Sequence, residues 1–459
     1  MRESSVASIE AGAAPLAAIL GRFIAGTRAG HLPAEVEQAA SLRMLDTLAA
    51  AASGVQQGTH RKLLALLPGD GPLSAWGTTV RRGLRDAAII NSAVSHSTYF
   101  EDGCRYTGGH PSSALIPAAF ALACEREAGG AELVAAIAAG YEVFLRLGRA
   151  IYPSTVRRGF QSTAILAAPA TAAAAAVLLR LPAEQATHAI AIACSHGAGL
   201  KEALKNAGSQ PLQVGRSSEG GLLAALYAAQ GAEGVPAVIE QGFFKAYAEG
   251  AQADVVTREL GRQWGIGQTY LKMHGGCRGN HAPVDTAVAL AREYGVVPRD
   301  IASMDVWVDT VTLAAEVAEP ANADQARFSI AFSIAARLLK GDAMPARYTD
   351  AALAEPEVRA LMARIRVRAD AALDEGYPDR RGAVIRVRTT RGRDLEYVLD
   401  RALGEPEQPF TQADIEHKFD LTAGTLYGAS ASRIKELSLS LPSLPSVKVL
   451  NDLLQANPS

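Results

Sequence analysis

Between about Pro15 and Gly250 the chain is an almost unbroken series of alanine-rich segments with apolar residues at helical spacing, punctuated by glycine and proline. Small side chains on successive helices let their axes approach closely, so such a run can only settle as a compact, mostly buried helical bundle. PAEVEQAASLRMLDTLAAAASG predicts a helix that stops at Gly54. AELVAAIAAGYEVFLRLGRAIY and PAEQATHAIAIACSHGAGL predict two more, with Pro182 at the first helical position, where its missing N–H costs nothing. The apolar tract Thr163 to Leu181 is long enough to be weighed as a membrane span. It is mostly weakly hydrophobic alanine and Pro169 interrupts it, so it predicts a buried helix pair.

After about Gly267 the period changes. SMDVWVDTV, RIRVRADAAL and AVIRVRTTRGRDLEYVLD alternate as strands do, the last with a glycine-containing hairpin turn, and ARFSIAFSIAARLLKG between them reads as a helix with a glycine stop. From Gln412 the pattern is helical again. The expected fold class is mainly α: a large all-helical domain (residues 1–267, rejoined by helices in 411–459) and a smaller α+β lid domain (268–410).

A formal net charge of -2 gives no footprint for nucleic acid or an anionic membrane. The four cysteines, Cys104, Cys124, Cys194 and Cys277, are dispersed, without a disulfide framework or CxxC pair, which suits a reducing cytoplasm. MRESSVASIEAGAAPLAAIL places glutamates before a short apolar run and makes a poor secretory signal. No GxSxG, Walker A or dinucleotide fingerprint is present.

The chemistry concentrates in two echoing loops. YFEDGCRYTGGHPSS, from Tyr99, crowds acids, a thiol, arginine, histidine and proline between core helices. Gly108-Gly109 permits an unusual backbone path, and Pro111 opens the next helix, so His110 is delivered to a helix N-terminus, where free N–H groups favour carboxylate or phosphate. YLKMHGGCRGNHAPVD, from Tyr270, repeats the thiol, arginine, glycine, histidine and proline and adds Lys272. The bland alternative for each is a capped turn with a hydrogen-bonded histidine. His274, Cys277 and His281 have spacings that a zinc site could use, but a structural site needs a fourth ligand from across the fold, so no metal is expected; nor are there clustered cysteines for an iron–sulfur centre. Arg157 and Arg158 form a basic turn before a helix and are candidates to hold a carboxylate. Tyr141, inside a helix, reads as a packing residue with a bonded hydroxyl.

Taken in order, His96-Ser97 with the acidic run after it, His110-Pro111-Ser112, Gly140-Tyr141-Glu142, Gly159-Phe160-x-x-Thr163, Lys272, Cys277-Arg278, His281, Arg327-Phe328-Ser329 and Lys418-Phe419 resemble the MmgE/PrpD (2-methylcitrate dehydratase) family over nearly the whole chain. The resemblance implies a helical domain with an α+β lid, usually dimeric, and proton movement next to a carboxylate without a metal; no cofactor is expected. The family's usual Asp-Phe-Asp-Asp is here Tyr99-Phe100-Glu101-Asp102. Gly103 stands where some members have threonine, Gln161 where they have histidine, and Gln210 where they have lysine. These changes remove charges and proton carriers, which argues against 2-methylcitrate itself as the substrate. The expectation is therefore a metal-independent lyase of the cytoplasm, a homodimer, acting on a small di- or tricarboxylic acid by elimination. An epimerase, isomerase or decarboxylase, or a binding relative without turnover, are the alternatives. His110 or Tyr99 would handle the proton, Lys272 would stabilise developing charge, and Asp102 would orient His110. Arg157, Arg158, Gln161, Gln210, Cys277, Arg278 and His281 would surround the substrate.

Overall fold

The computed structural model describes residues 14–205 and 208–456. The first 13 residues of the stretch read against a secretory signal lie outside them. The protein is mainly α, with a small mixed sheet. One apolar core runs from Leu16 to Leu271 and resumes from Ile415 to Leu454. A second gathers residues between Ala282 and Ala402. The helices Ala34–Gln56, Leu84–His96, Pro111–Glu125, Gly130–Ile151, Ser162–Leu178 and Gln210–Ala229 pack around the first core. The returning helix Gln412–Tyr427 lies on Ala34–Gln56. No described helix is long and apolar enough to cross a membrane.

Two helices differ from expectation for the same reason, close approach. Ala34–Gln56 runs through Gly54 rather than stopping there. A Cβ at Gly54 would overlap the Val94 carbonyl oxygen, so this glycine serves helix contact, not termination. The tract from Thr163 is one helix, Ser162–Leu178, not a pair; it continues through Pro169 because it is buried along its whole length. Tertiary packing there outweighs the proline's local preference. A Cβ at Gly221, on Gln210–Ala229, would likewise overlap the Ala168 carbonyl oxygen of Ser162–Leu178. Gly221→Ala should push these helices apart and cost about 1–3 kcal/mol by overpacking. Chemical denaturation checks this, and an unchanged midpoint would refute it.

The sheet has the strand order Ile365–Ala369, Ile301–Val308, Ala383–Thr389, Asp394–Leu399. The first pair is parallel and the others antiparallel. Val306 pairs with Ile385 and Met304 with Val387. The alternation puts these four side chains in the core, with the helices His281–Tyr294 and Ile330–Lys340 contributing to the same cluster. Gly341, at φ 85°, ends the latter helix as the sequence predicts.

Candidate active site

The two chemistry-bearing loops meet through backbone. Gly103 and Tyr270 form an isolated antiparallel bridge, with Gly103 N–H donating to the Tyr270 carbonyl (3.0 Å) and Tyr270 N–H returning to Gly103 (2.8 Å). A side chain at Gly103 would run into the Tyr270 hydroxyl and lie 2.9 Å from His110 Nδ1, so a larger residue is excluded while Tyr270 holds this place. Within the first loop, Cys104 N–H bonds to the Gly109 carbonyl (3.0 Å), and Gly108 turns at φ 62°. The loop thereby closes on itself and presents His110 at the start of the helix Pro111–Glu125.

Beneath the junction lies a cavity of about 200 Å³. Of the residues singled out in the sequence, His110, Lys272, Tyr99, Gln161, Gln210, Cys277 and Arg278 line it. It shares Arg105, Tyr152, Tyr377 and Pro378 with a wider outer cleft.

His110 is held by Nδ1, 2.5 Å from the Asp102 backbone carbonyl. A carbonyl only accepts, so Nδ1 carries the proton and the neutral ring keeps its lone pair on Nε2. Burial, helped by Lys272 and opposed by Glu101, lowers the His110 pKa to about 3, so the ring is neutral near pH 7. Lys272 is buried and donates to the Tyr99 carbonyl at 2.8 Å. Burial outweighs the attraction of Glu101 and lowers its pKa to about 8. Tyr99 sits at φ 55°, the left-handed region uncommon for a bulky residue, with its hydroxyl buried and unpartnered. Burial pushes that phenol well above its usual range, so it stays protonated.

Several assignments need correcting. The Asp102 carboxylate does not orient His110; the Asp102 carbonyl does. The carboxylate accepts from Ser112 N–H (3.0 Å) and the Tyr141 hydroxyl (2.8 Å), with Arg43 at 3.5 Å, so it caps the helix and faces away from the cavity. Arg157 lines the outer cleft rather than the cavity, and Arg158 lies 4.0 Å from Glu249; both are exposed on their turn. His281 is buried behind the cavity, its ring 5.2 Å from that of His274, and does not line it. Burial, with Arg278 nearby, depresses its pKa. His274 is engaged by Asp285 at 2.8 Å, and no group of three or more His, Cys, Asp or Glu among the described residues is placed to hold a metal.

Other members of the site were missed. His96 lines the cavity with Nδ1 2.6 Å from Glu101, and its Nε2 faces the Gln161 amide at 3.1 Å. Burial alone would raise the Glu101 pKa; His96, with smaller help from His110 and Lys272, outweighs it and keeps the carboxylate ionised. Tyr270, Arg381 and Glu405 complete the walls, with Arg278 stacked 4.5 Å over Tyr270 and bonded to Glu405 at 2.6 and 3.0 Å. The His96–Glu101 spacing was visible in the sequence; Arg381 and Glu405 carried no local signal.

The chemistry possible here is proton transfer near a bound anion, from a neutral imidazole, an ammonium and a phenol in one enclosure. Comparison with known proteins finds relatives that span nearly the whole chain. A cis-aconitate decarboxylase of Aspergillus terreus is 26% identical over 453 residues, spanning 92% of this chain and 92% of its own. Cis-aconitate decarboxylase of Homo sapiens is 25% identical over 458 residues, spanning 94% and 93%. The MmgE/PrpD N-terminal domain profile matches residues 18–256 and the C-terminal domain profile matches 274–442. With both profiles in order and the His110 and Lys272 loops joined across them, the chain belongs to the MmgE/PrpD family.

Proposed function

We propose that this protein is a lyase that acts on a small di- or tricarboxylic acid by moving a proton at a carbon next to a carboxylate. The observation carrying this reading is His110: a neutral ring fixed through Nδ1, with its Nε2 lone pair free, in the same cavity as the Lys272 ammonium. In elimination, Nε2 takes the carbon-bound proton and the electron pair delocalises into the adjacent carboxylate. Lys272 and Arg278 stabilise that developing charge. As the β-hydroxyl leaves as water, its oxygen is protonated by Lys272 or the Tyr99 phenol. Each step is taken by the chain's own side chains.

The division into a helical domain (1–267 with 411–459) and a lid (268–410) is part of this reading, as is a homodimer. The separation of the two apolar cores supports the division. Lid closure would exclude water from the cavity.

A second reading, decarboxylation, is favoured by the names of the relatives. There a carbon–carboxylate bond breaks, its electron pair moves into an adjacent double bond, and the far alkene carbon takes a proton from Lys272.

Proton NMR in deuterated buffer separates the cases, with cis-aconitate, citrate, 2-methylcitrate and smaller hydroxy acids as substrates. Loss of water supports elimination, and release of carbon dioxide supports the decarboxylase reading. Deuterium uptake at carbon without net product supports an isomerase. Binding without exchange or product across the panel would overturn the enzyme assignment.

A further inference from the structure

The cations around the cavity already face protein carboxylates. Arg278 lies 2.6 Å from Glu405. Arg105 is 3.3 Å from Glu405 and also bonds to Glu407. Arg381 is 3.7 Å from Asp309, and Lys272 is offset by Glu101. Arg278, Arg105, Arg381 and Lys272 thus face Glu405, Glu407, Asp309 and Glu101, and Glu101 is also bonded to His96 at 2.6 Å. A trianion entering this enclosure would have to compete with these carboxylates for the cations that replace its lost hydration.

What the enclosure has unspent is uncharged hydrogen-bonding capacity. Gln210 is fully buried, and neither Nε2 nor Oε1 has a partner. Gln161 is 5% exposed. Its Nε2 faces His96 Nε2, and its Oε1 has no partner. His96 Nδ1 lies 2.6 Å from Glu101, so its Nε2 is engaged by one end of the Gln161 amide and the other end is left without a partner. For Gln210 either orientation leaves an oxygen without a donor. The Tyr99 hydroxyl and Arg278 Nη1 are also unpartnered. A buried polar group left unsatisfied costs about 1–3 kcal/mol, which a ligand offering the right partner recovers. A carboxylate satisfies Arg278 Nη1 and Lys272 but has no hydrogen to give to an amide oxygen.

We propose that Gln161 and Gln210 are specificity residues for a substrate that carries, where a tricarboxylic acid has one of its carboxylates, an uncharged group that both donates and accepts hydrogen bonds: a hydroxyl or a carboxamide. The remaining carboxylate chemistry lies on Lys272 and Arg278. The identity of the reacting end rests on the lyase reading above; the preference for a donor-bearing ligand does not.

Calorimetric titration of the full chain with four probes tests this: succinate, tricarballylate, malate and succinamate. Malate or succinamate should bind at least about tenfold more tightly than succinate and tricarballylate, because a site built to hydrogen-bond a ligand rejects the analogue that lacks the group. Malate ahead of succinamate identifies a hydroxyl, and the reverse a carboxamide. Gln210→Leu should erase the preference, and Gln210→Lys should turn it towards tricarballylate. The wild-type ranking needs no variant, so misfolding of a variant leaves the test intact. Tricarballylate binding as tightly as the donor-bearing acids would overturn the proposal. The preference without carbon–hydrogen exchange or turnover would refute the lyase reading alone. Turnover with equal affinity for all four probes would refute this proposal alone.

Discussion

Replacing His110 by alanine should lower kcat on the true substrate by about 10²–10⁴-fold, the usual worth of a positioned acid–base group, with the melting temperature little changed. The ring is part-exposed at the cavity and its main tether is one bond to the Asp102 carbonyl, so its loss removes chemistry more than core. The pH dependence follows from the two shifts. A base works unprotonated, so activity through His110 is lost only as pH falls through about 3. An acid works protonated, so activity through Lys272 is lost as pH rises through about 8. The profile of kcat/KM, which reports the free enzyme, should be flat near neutrality and fall on the alkaline side. Lys272→Met should lower the rate and remove that alkaline limb. An alkaline limb unchanged in Lys272→Met, or a His110→Ala enzyme keeping near-wild-type kcat, would show that other groups move the proton.

The helical bundle was readable because alanine and glycine at a 3.6-residue period leave few alternatives, and the sheet because buried Met304, Val306 and Val308 alternate with the less buried Ser303, Asp305 and Trp307. The two loops were readable because Gly108-Gly109 and Pro111 fix a turn and a helix start whatever surrounds them. What joins the loops was not: the Gly103–Tyr270 bridge is backbone pairing between segments far apart in sequence and leaves no periodic trace. Nor can a sequence say which atom of a residue is used. Asp102 was placed beside His110, yet its carbonyl makes the contact while its carboxylate caps a helix. Arg157 and Arg158 illustrate the same gap, since charge at a turn signals solvent without giving direction. The ion pairing around the cavity depends on Glu405, Glu407 and Asp309, which become neighbours of Arg278, Arg105 and Arg381 only in the folded chain.

Lys418→Met should destabilise the protein by about 3–5 kcal/mol, the cost of stranding one charge of a buried pair. Lys418 and Asp46 are both fully buried, with Nζ 2.6 Å from Oδ1. Nζ also donates to the Phe100 carbonyl at 2.6 Å and sits 3.8 Å over the Phe100 ring. Burial works against both charges, raising the Asp46 pKa and lowering that of Lys418, and their mutual attraction opposes it. Without the ammonium, Asp46 would be left with no ion-pair partner on either oxygen, since Oδ2 already has no hydrogen bond. The Phe100 carbonyl would lose its donor as well. Asp46→Leu should cost a similar amount for the converse reason, whereas Lys418→Met with Asp46→Leu should recover most of the loss, because no buried charge remains. Denaturant midpoints of the two single variants and the double variant check this; simple additivity would refute the coupling. Activity provides a second readout. Phe100 lies between Tyr99 and Glu101, so the lysine of the returning helix holds in place the backbone that accepts Lys272 and the carboxylate that partners His96. The double variant should therefore fold and still turn over more slowly than wild type, since restoring the core does not restore the bond to Phe100.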